Sequence, residues 1–108
     1  MRANDYQQAA LRTEGETVHQ ITRILQGVMG LCGESGECID LVKKHVYQGH
    51  ELDAERLAEE LGDVAWYLAI SAAAIDYDLE TIFKMNIEKL NRRYPDGFKY
   101  EYSINRED

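Results

Sequence analysis

The sequence predicts an all-α fold, a compact bundle of about four helices that oligomerises through helix packing, and three observations point there. A single proline in 108 residues leaves long stretches in which every peptide can donate its helical hydrogen bond. Apolar residues recur at spacings of three and four, the period of one helix face. Asp53 and Asp78 stand just ahead of helical stretches, where a carboxylate can accept the free amides of a first turn. With 44% apolar and 30% charged residues, the composition is that of a globular chain, and residues 1–108 suffice for one domain with one core.

The first helix is expected over about residues 5–12, ended by the turn-prone Thr13-Glu14-Gly15-Glu16. The second, starting near Val18 and running to about residue 46, carries Ile21, Ile24, Leu25, Val28, Leu31, Cys32, Ile39, Val42 and Val46, which read as one buried stripe. Gln48-Gly49-His50 stops it, with glycine where helices commonly end. The third, capped by Asp53, runs to about Ile75 and changes character midway, acidic over 54–63 and almost wholly apolar over 64–75. That apolar run falls short of the roughly 20 residues that cross a bilayer, so no membrane is expected. A helix apolar all round must be buried on every side, and so small a chain can hardly surround one, which predicts a subunit interface at residues 64–75. The fourth helix, capped by Asp78, spans about 79–93; Pro95-Asp96-Gly97 favours a turn, and the alternation over 98–102 reads as a short extended segment.

Gly27, Gly30, Gly33 and Gly36 fall at three-residue intervals inside the second helix, each costing up to about 1 kcal/mol relative to alanine. Close approach of another helix or of a ligand would compensate, above all at Gly33, which flanks Glu34; a helix broken between Gly30 and Gly36 is the alternative. The net charge of −8 argues against nucleic acid as a partner, because such surfaces neutralise phosphates with Lys and Arg. A phosphate-bearing ligand would therefore need metal cations. The start Met1-Arg2-Ala3-Asn4-Asp5 lacks the basic-then-apolar order of a secretory signal, so a cytoplasmic location is expected. Cys32 and Cys38, about 240° apart around a helix, are poorly placed to pair and read as ordinary buried cysteines of a reducing cytosol.

The chemistry is carried by two acidic pairs. Glu34/Glu37 on the second helix and Glu60/Asp63 on the third are each three apart, so each pair projects from one face. Four carboxylates converging between antiparallel helices would repel one another by several kcal/mol unless protonated or neutralised. Hard divalent cations with oxygen ligands, Mg²⁺ or Mn²⁺, are the natural neutralisers. A solvated helix face is the bland alternative. Against it, Glu51, Asp53, Glu55, Glu59, Glu60 and Asp63 face a single base, Arg56, where a solvated face would interleave lysine. Lys44 lies seven residues beyond Glu37, nearly in line with it, and is aimed at a phosphate near the acids, whereas Lys43 points elsewhere. Asn86, Lys89 and Arg93 share a face of the fourth helix, and Arg93 can fork two donors onto phosphate oxygens. Tyr67, one turn beyond Asp63, offers a ring for stacking on a base, with core packing as its alternative role.

Gly30-Leu31-Cys32-Gly33-Glu34-Ser35-Gly36-Glu37, then Glu59-Glu60-Leu61-Gly62-Asp63-Val64-Ala65-Trp66-Tyr67-Leu68, then Asn86-Ile87-Glu88-Lys89-Leu90-Asn91-Arg92-Arg93-Tyr94-Pro95-Asp96-Gly97-Phe98 together resemble the MazG-like family of all-α NTP pyrophosphatases. The likeness covers about residues 30–98. Where many members place a further acid just before the first pair, this chain has Gly33, so the likeness does not fix the number of metals. The resemblance implies Mg²⁺-dependent hydrolysis of a nucleoside triphosphate to monophosphate and pyrophosphate, with a role in nucleotide-pool house-cleaning, by a homodimer or homotetramer. It implies Glu34, Glu37, Glu60 and Asp63 as metal ligands, with Glu34 or Glu37 also orienting the attacking water. Lys44, Lys89 and Arg93 would hold phosphate oxygens and Asn86 sugar or phosphate. Two other classes compete. One is a catalytically silent metal- or nucleotide-binding module. The other is a di-iron carboxylate bundle, which needs two Glu-x-x-His pairs where this chain has only Glu16-x-x-His19.

Overall fold

A computed structural model describes residues 1–16 and 19–107. Five helices follow in order: α1 (Ala3–Leu11), α2 (Gln20–Tyr47), α3 (Ala54–Ala74), α4 (Leu79–Arg93) and α5 (Tyr100–Ile104). Val18, the expected start of the second helix, lies outside the described residues. No helix among the described residues is long and apolar enough to cross a membrane.

Local chemistry explains the helix ends. The backbone N–H of Arg56 donates to Asp53 at 3.1 Å and that of Thr81 to Asp78 at 2.7 Å, so both expected caps are in place. At the end of α2, Gly49 takes a left-handed φ of 73°, and the His50 N–H reaches back to the Lys44 carbonyl at 3.1 Å. α3 ends similarly on a residue with a side chain. Asp76 has φ 62°, its N–H donates to Ala73 O at 3.0 Å, and Tyr77 N–H donates to Ala72 O at 2.9 Å.

α2 and α3 run antiparallel. At one end Gln20 Nε2 donates to Ala74 O at 2.9 Å and Arg23 Nη1 to Ala73 O at 3.4 Å. Arg23 also forks onto Glu14, with both bonds at 2.8 Å, tying the α1–α2 connection to the bundle. α1 is fastened across α3 and α4 by the buried Gln7. Its Nε2 donates to Ala69 O at 3.2 Å and Tyr77 O at 3.1 Å, while its Oε1 accepts from Leu79 N–H at 3.0 Å. Around this bridge Ala10, Ala69, Ala72 and Leu79 form the core, with Tyr6, Trp66, Leu68 and Ile82 packed on it.

Three expectations need correcting. Within the apolar run 64–75, Ala69, Ile70, Ala72 and Ala74 are buried by this chain's own helices. A subunit interface is not needed to cover them. The stripe on α2 is not buried throughout: Ile24, Leu31 and Val42 are half-covered, but Ile21 is 63% and Ile39 64% exposed. The reason is reach. At about 1.5 Å per residue this 28-residue helix is about 42 Å long, and its apolar band is wider than its main neighbour, α3, can cover. Finally, the segment expected to be extended turns into α5. With no strand among the described residues to pair with, a period-two segment leaves its peptides unsatisfied, whereas one helical turn closes Tyr102 N–H onto Lys99 O at 3.1 Å. Its rings still pack: Tyr94 meets Phe98 at 5.4 Å and Tyr102 at 6.4 Å between centroids.

Candidate metal centre

The crossing of α2 and α3 is built on two glycines. A β-carbon on Gly27 would run into Ser71 Oγ, and one on Gly30 into the ring of Tyr67. Close approach of α3 is therefore what compensates these two residues, in a continuous helix. Gly33 and Gly36 have nothing within 4 Å of a modest side chain, so the approach expected at Gly33 falls one turn earlier.

One turn past Gly30, Glu34 faces Glu60 and Asp63. One oxygen from each carboxylate lies within 4.8 Å of the others; Glu34 and Glu60 are half-buried and Asp63 is exposed. A hydrogen bond with Glu60 holds the Glu34 carboxyl above the usual carboxylate range, reinforced by burial and by the charges of Asp63, Glu60 and Glu37. The crowding thus favours the protonated form of Glu34, a charge balance that a cation would serve better. Glu37 is exposed and stands outside this trio, though its charge reaches Glu34.

Two neighbours were not singled out from sequence. The Cys38 thiol, one turn past Glu34, is pushed up by burial and then by all four acids. It is half-buried and Cys32 is exposed; both are free, so neither is the fully buried cysteine expected. Tyr6 reaches the centre from α1. Its hydroxyl donates to the Gly62 carbonyl oxygen at 3.5 Å, and its pKa is raised by burial and by the charge of Asp63. Only the spacing within α2 and α3 was readable in advance, and Cys38, at i+4 from Glu34, was recoverable from it. Tyr6 depends on where α1 docks, which no local pattern encodes.

The remaining candidates are distributed. Lys44 is bonded to Asp40 at 2.9 Å, and Lys43 shares that acid at 3.3 Å, so the two lysines do not point apart as expected. Tyr67 is half-buried, seated on Gly30 and edge-on to Trp66 with centroids 4.9 Å apart. Asn86 and Lys89 line one groove with Ile82, Met85 and Arg92, while Arg93 lines another beside α5 with Tyr102 and Arg106. Neither groove includes a member of the trio.

Hard oxygen donors from two rigid helices suit a small divalent cation, which would displace the shared proton. The cluster contains no histidine, and Glu16 and His19 are not part of it, so the di-iron pattern is not assembled. Fold and site together define an all-helical protein with a carboxylate centre at the crossing of two antiparallel helices. Residues 24–98 match the model of the MazG nucleotide pyrophosphohydrolase domain, and the chain belongs to that family. It is similar to the Gene 37 protein of Mycobacterium phage L5, 38% identical over 73 residues. That alignment spans 64% of this chain and 64% of the phage protein's length. No solved structure matches the chain.

Proposed function

We propose that the protein is a Mg²⁺-dependent nucleoside triphosphate pyrophosphohydrolase that converts a (d)NTP and water to (d)NMP and pyrophosphate. The observation that carries this reading is the meeting of Glu34, Glu60 and Asp63 in a chain of the MazG family. Those three would hold Mg²⁺, with Mn²⁺ as an ion of similar ligand preference. When bound, such an ion neutralises triphosphate charge and lowers the pKa of a water. Glu37, outside the trio but close enough for its charge to act on Glu34, would orient that water and take its proton. Attack at the α-phosphorus then forms a P–O bond as the bond to the β-phosphate oxygen breaks, and pyrophosphate leaves.

Tyr67 would present the base with an aromatic edge, and Lys44, released from Asp40, would bind phosphate. Asn86, Lys89 and Arg93 would grip sugar and phosphates from a neighbouring subunit of a homodimer or homotetramer. That assembly is supported by the apolar surface left on α2 and α4, including Ile21, Met29, Phe83 and Ile87.

A panel of ribo-, deoxy- and modified nucleoside triphosphates, assayed separately for pyrophosphate and orthophosphate, tests the reaction. Pyrophosphate is expected from at least one nucleotide, and only with the divalent ion. Tight nucleotide binding with no pyrophosphate across the panel would instead mark a catalytically silent module.

A further inference from the structure

We propose that the cavity between the end of α4 and α5 is a second ligand site, one that takes a polyphosphate anion on arginines and needs no metal. The net charge of −8 conceals a local reversal. Residues 84–108 hold six of the twelve Lys and Arg but only five of the twenty Asp and Glu. Three of those six cations, Arg92, Arg93 and Arg106, line one cavity of about 560 Å³. Ligand sites typically enclose about 300–1,000 Å³, so pyrophosphate or the phosphates of a nucleotide fit the space. Guanidinium forks are suited to such oxygens, which they bind in pairs.

Arg92 and Arg93 stand in the last turn of α4, where cations already suit the negative end of a helix. That does not account for Arg106, which lies two residues past the end of α5 and is returned to the same cavity by the turn at 95–97. The return is fixed: Gly97 takes a φ of 88°, its N–H donates to Tyr94 O at 3.1 Å, and the Tyr102 hydroxyl donates to Asp96 at 3.1 Å. Tyr102 therefore walls the cavity, while Asn105 adds an amide donor. Glu101 and Glu107 also line it and offset two of the three cations. A guanidinium has five donors, enough to serve a carboxylate and a phosphate together, and the acids allow a test of opposite sign. No member of the trio lines the cavity, and Tyr102, Asn105 and Arg106 lie outside the matched residues 24–98. Arg93 is the one lining residue that the proposed reaction also uses, so the test is carried by Arg92 and Arg106.

The test is isothermal titration calorimetry of the full chain with inorganic pyrophosphate and, separately, with ATP, in EDTA so that no divalent ion takes part. Saturable binding by the wild type is expected. Arg92→Gln and Arg106→Gln should each bind about tenfold more weakly, the weight of one charge-assisted hydrogen bond. Glu101→Gln, which removes an opposing charge, should bind roughly threefold more tightly. Lys43→Gln, which removes a cation far along α2, should bind like wild type. All four residues are exposed, and the two arginines sit on different segments, so one misfolded variant would not remove the test. Tighter binding of ATP would assign the site to a nucleotide's phosphates and tighter binding of pyrophosphate to the free anion; both support the proposal. No saturable binding in EDTA, wild-type affinity in either folded arginine variant, an equal loss in Lys43→Gln, or Glu101→Gln no tighter than wild type would each overturn it. None of these readouts involves hydrolysis or the trio, so this site and the proposed reaction stand or fall separately.

Discussion

Glu34 carries the clearest electrostatic signature of the site. Because its folded pKa is raised, its contribution to stability is fully present below the ordinary glutamate value and is lost as pH rises through the raised one. A cation removes that penalty by replacing the proton. The Mg²⁺-induced rise in melting temperature is therefore expected to grow as pH rises above the ordinary glutamate value, with protons released on binding. A shift independent of pH would contradict the shared-proton account. The glycines make a second contrast. Gly30→Ala forces a methyl into the Tyr67 ring and is expected to cost about 1–3 kcal/mol, whereas Gly33→Ala meets open space and is expected to stabilise the metal-free protein by up to about 1 kcal/mol. Urea unfolding of both variants measures the difference. Sequence spacing identified these positions as unusual, but only the register of α3 on α2 distinguishes Gly30, against a ring, from Gly33, against nothing.

At the scale of elements, features governed by neighbouring residues were legible and features governed by docking were not. Asp53 and Asp78 cap α3 and α4 because a carboxylate three residues ahead of a free amide needs no tertiary partner. Asp78→Ala is expected to lower the stability of the fold by loss of this cap. The Thr81 N–H holds the Asp78 carboxyl below its ordinary value, so its contribution is present above that value and lost as pH falls through the depressed one. Unfolding of wild type and Asp78→Ala should converge in acid, and a difference that persisted there would contradict the cap. By contrast, the alternation at Phe98, Tyr100 and Tyr102 suggested a strand because periodicity does not reveal whether a pairing strand exists. In the site itself, three of the four acids foreseen as ligands meet. Glu37, on the same face and nearly in line with Gly30, does not join them, though its charge acts on Glu34.

For the whole molecule, the radius of gyration of 17.0 Å exceeds the roughly 13 Å of a compact domain of this length. An open protomer with Met29, Ile39 and Ile87 largely uncovered is expected to assemble, and light scattering should return a dimer or tetramer; a strict monomer would contradict that reading. The carboxylate trio and the family match bear on function more directly than shape does. The decisive measurement is pyrophosphate release by wild type and Glu60→Gln, with Mg²⁺ and a nucleotide the wild type accepts. Glu60→Gln keeps the side-chain volume and removes one anionic ligand. Its rate is expected to fall by at least about 100-fold, the upper end of what even outer-sphere partners cost, while it remains folded. Wild-type pyrophosphate release by Glu60→Gln with every nucleotide would contradict the account.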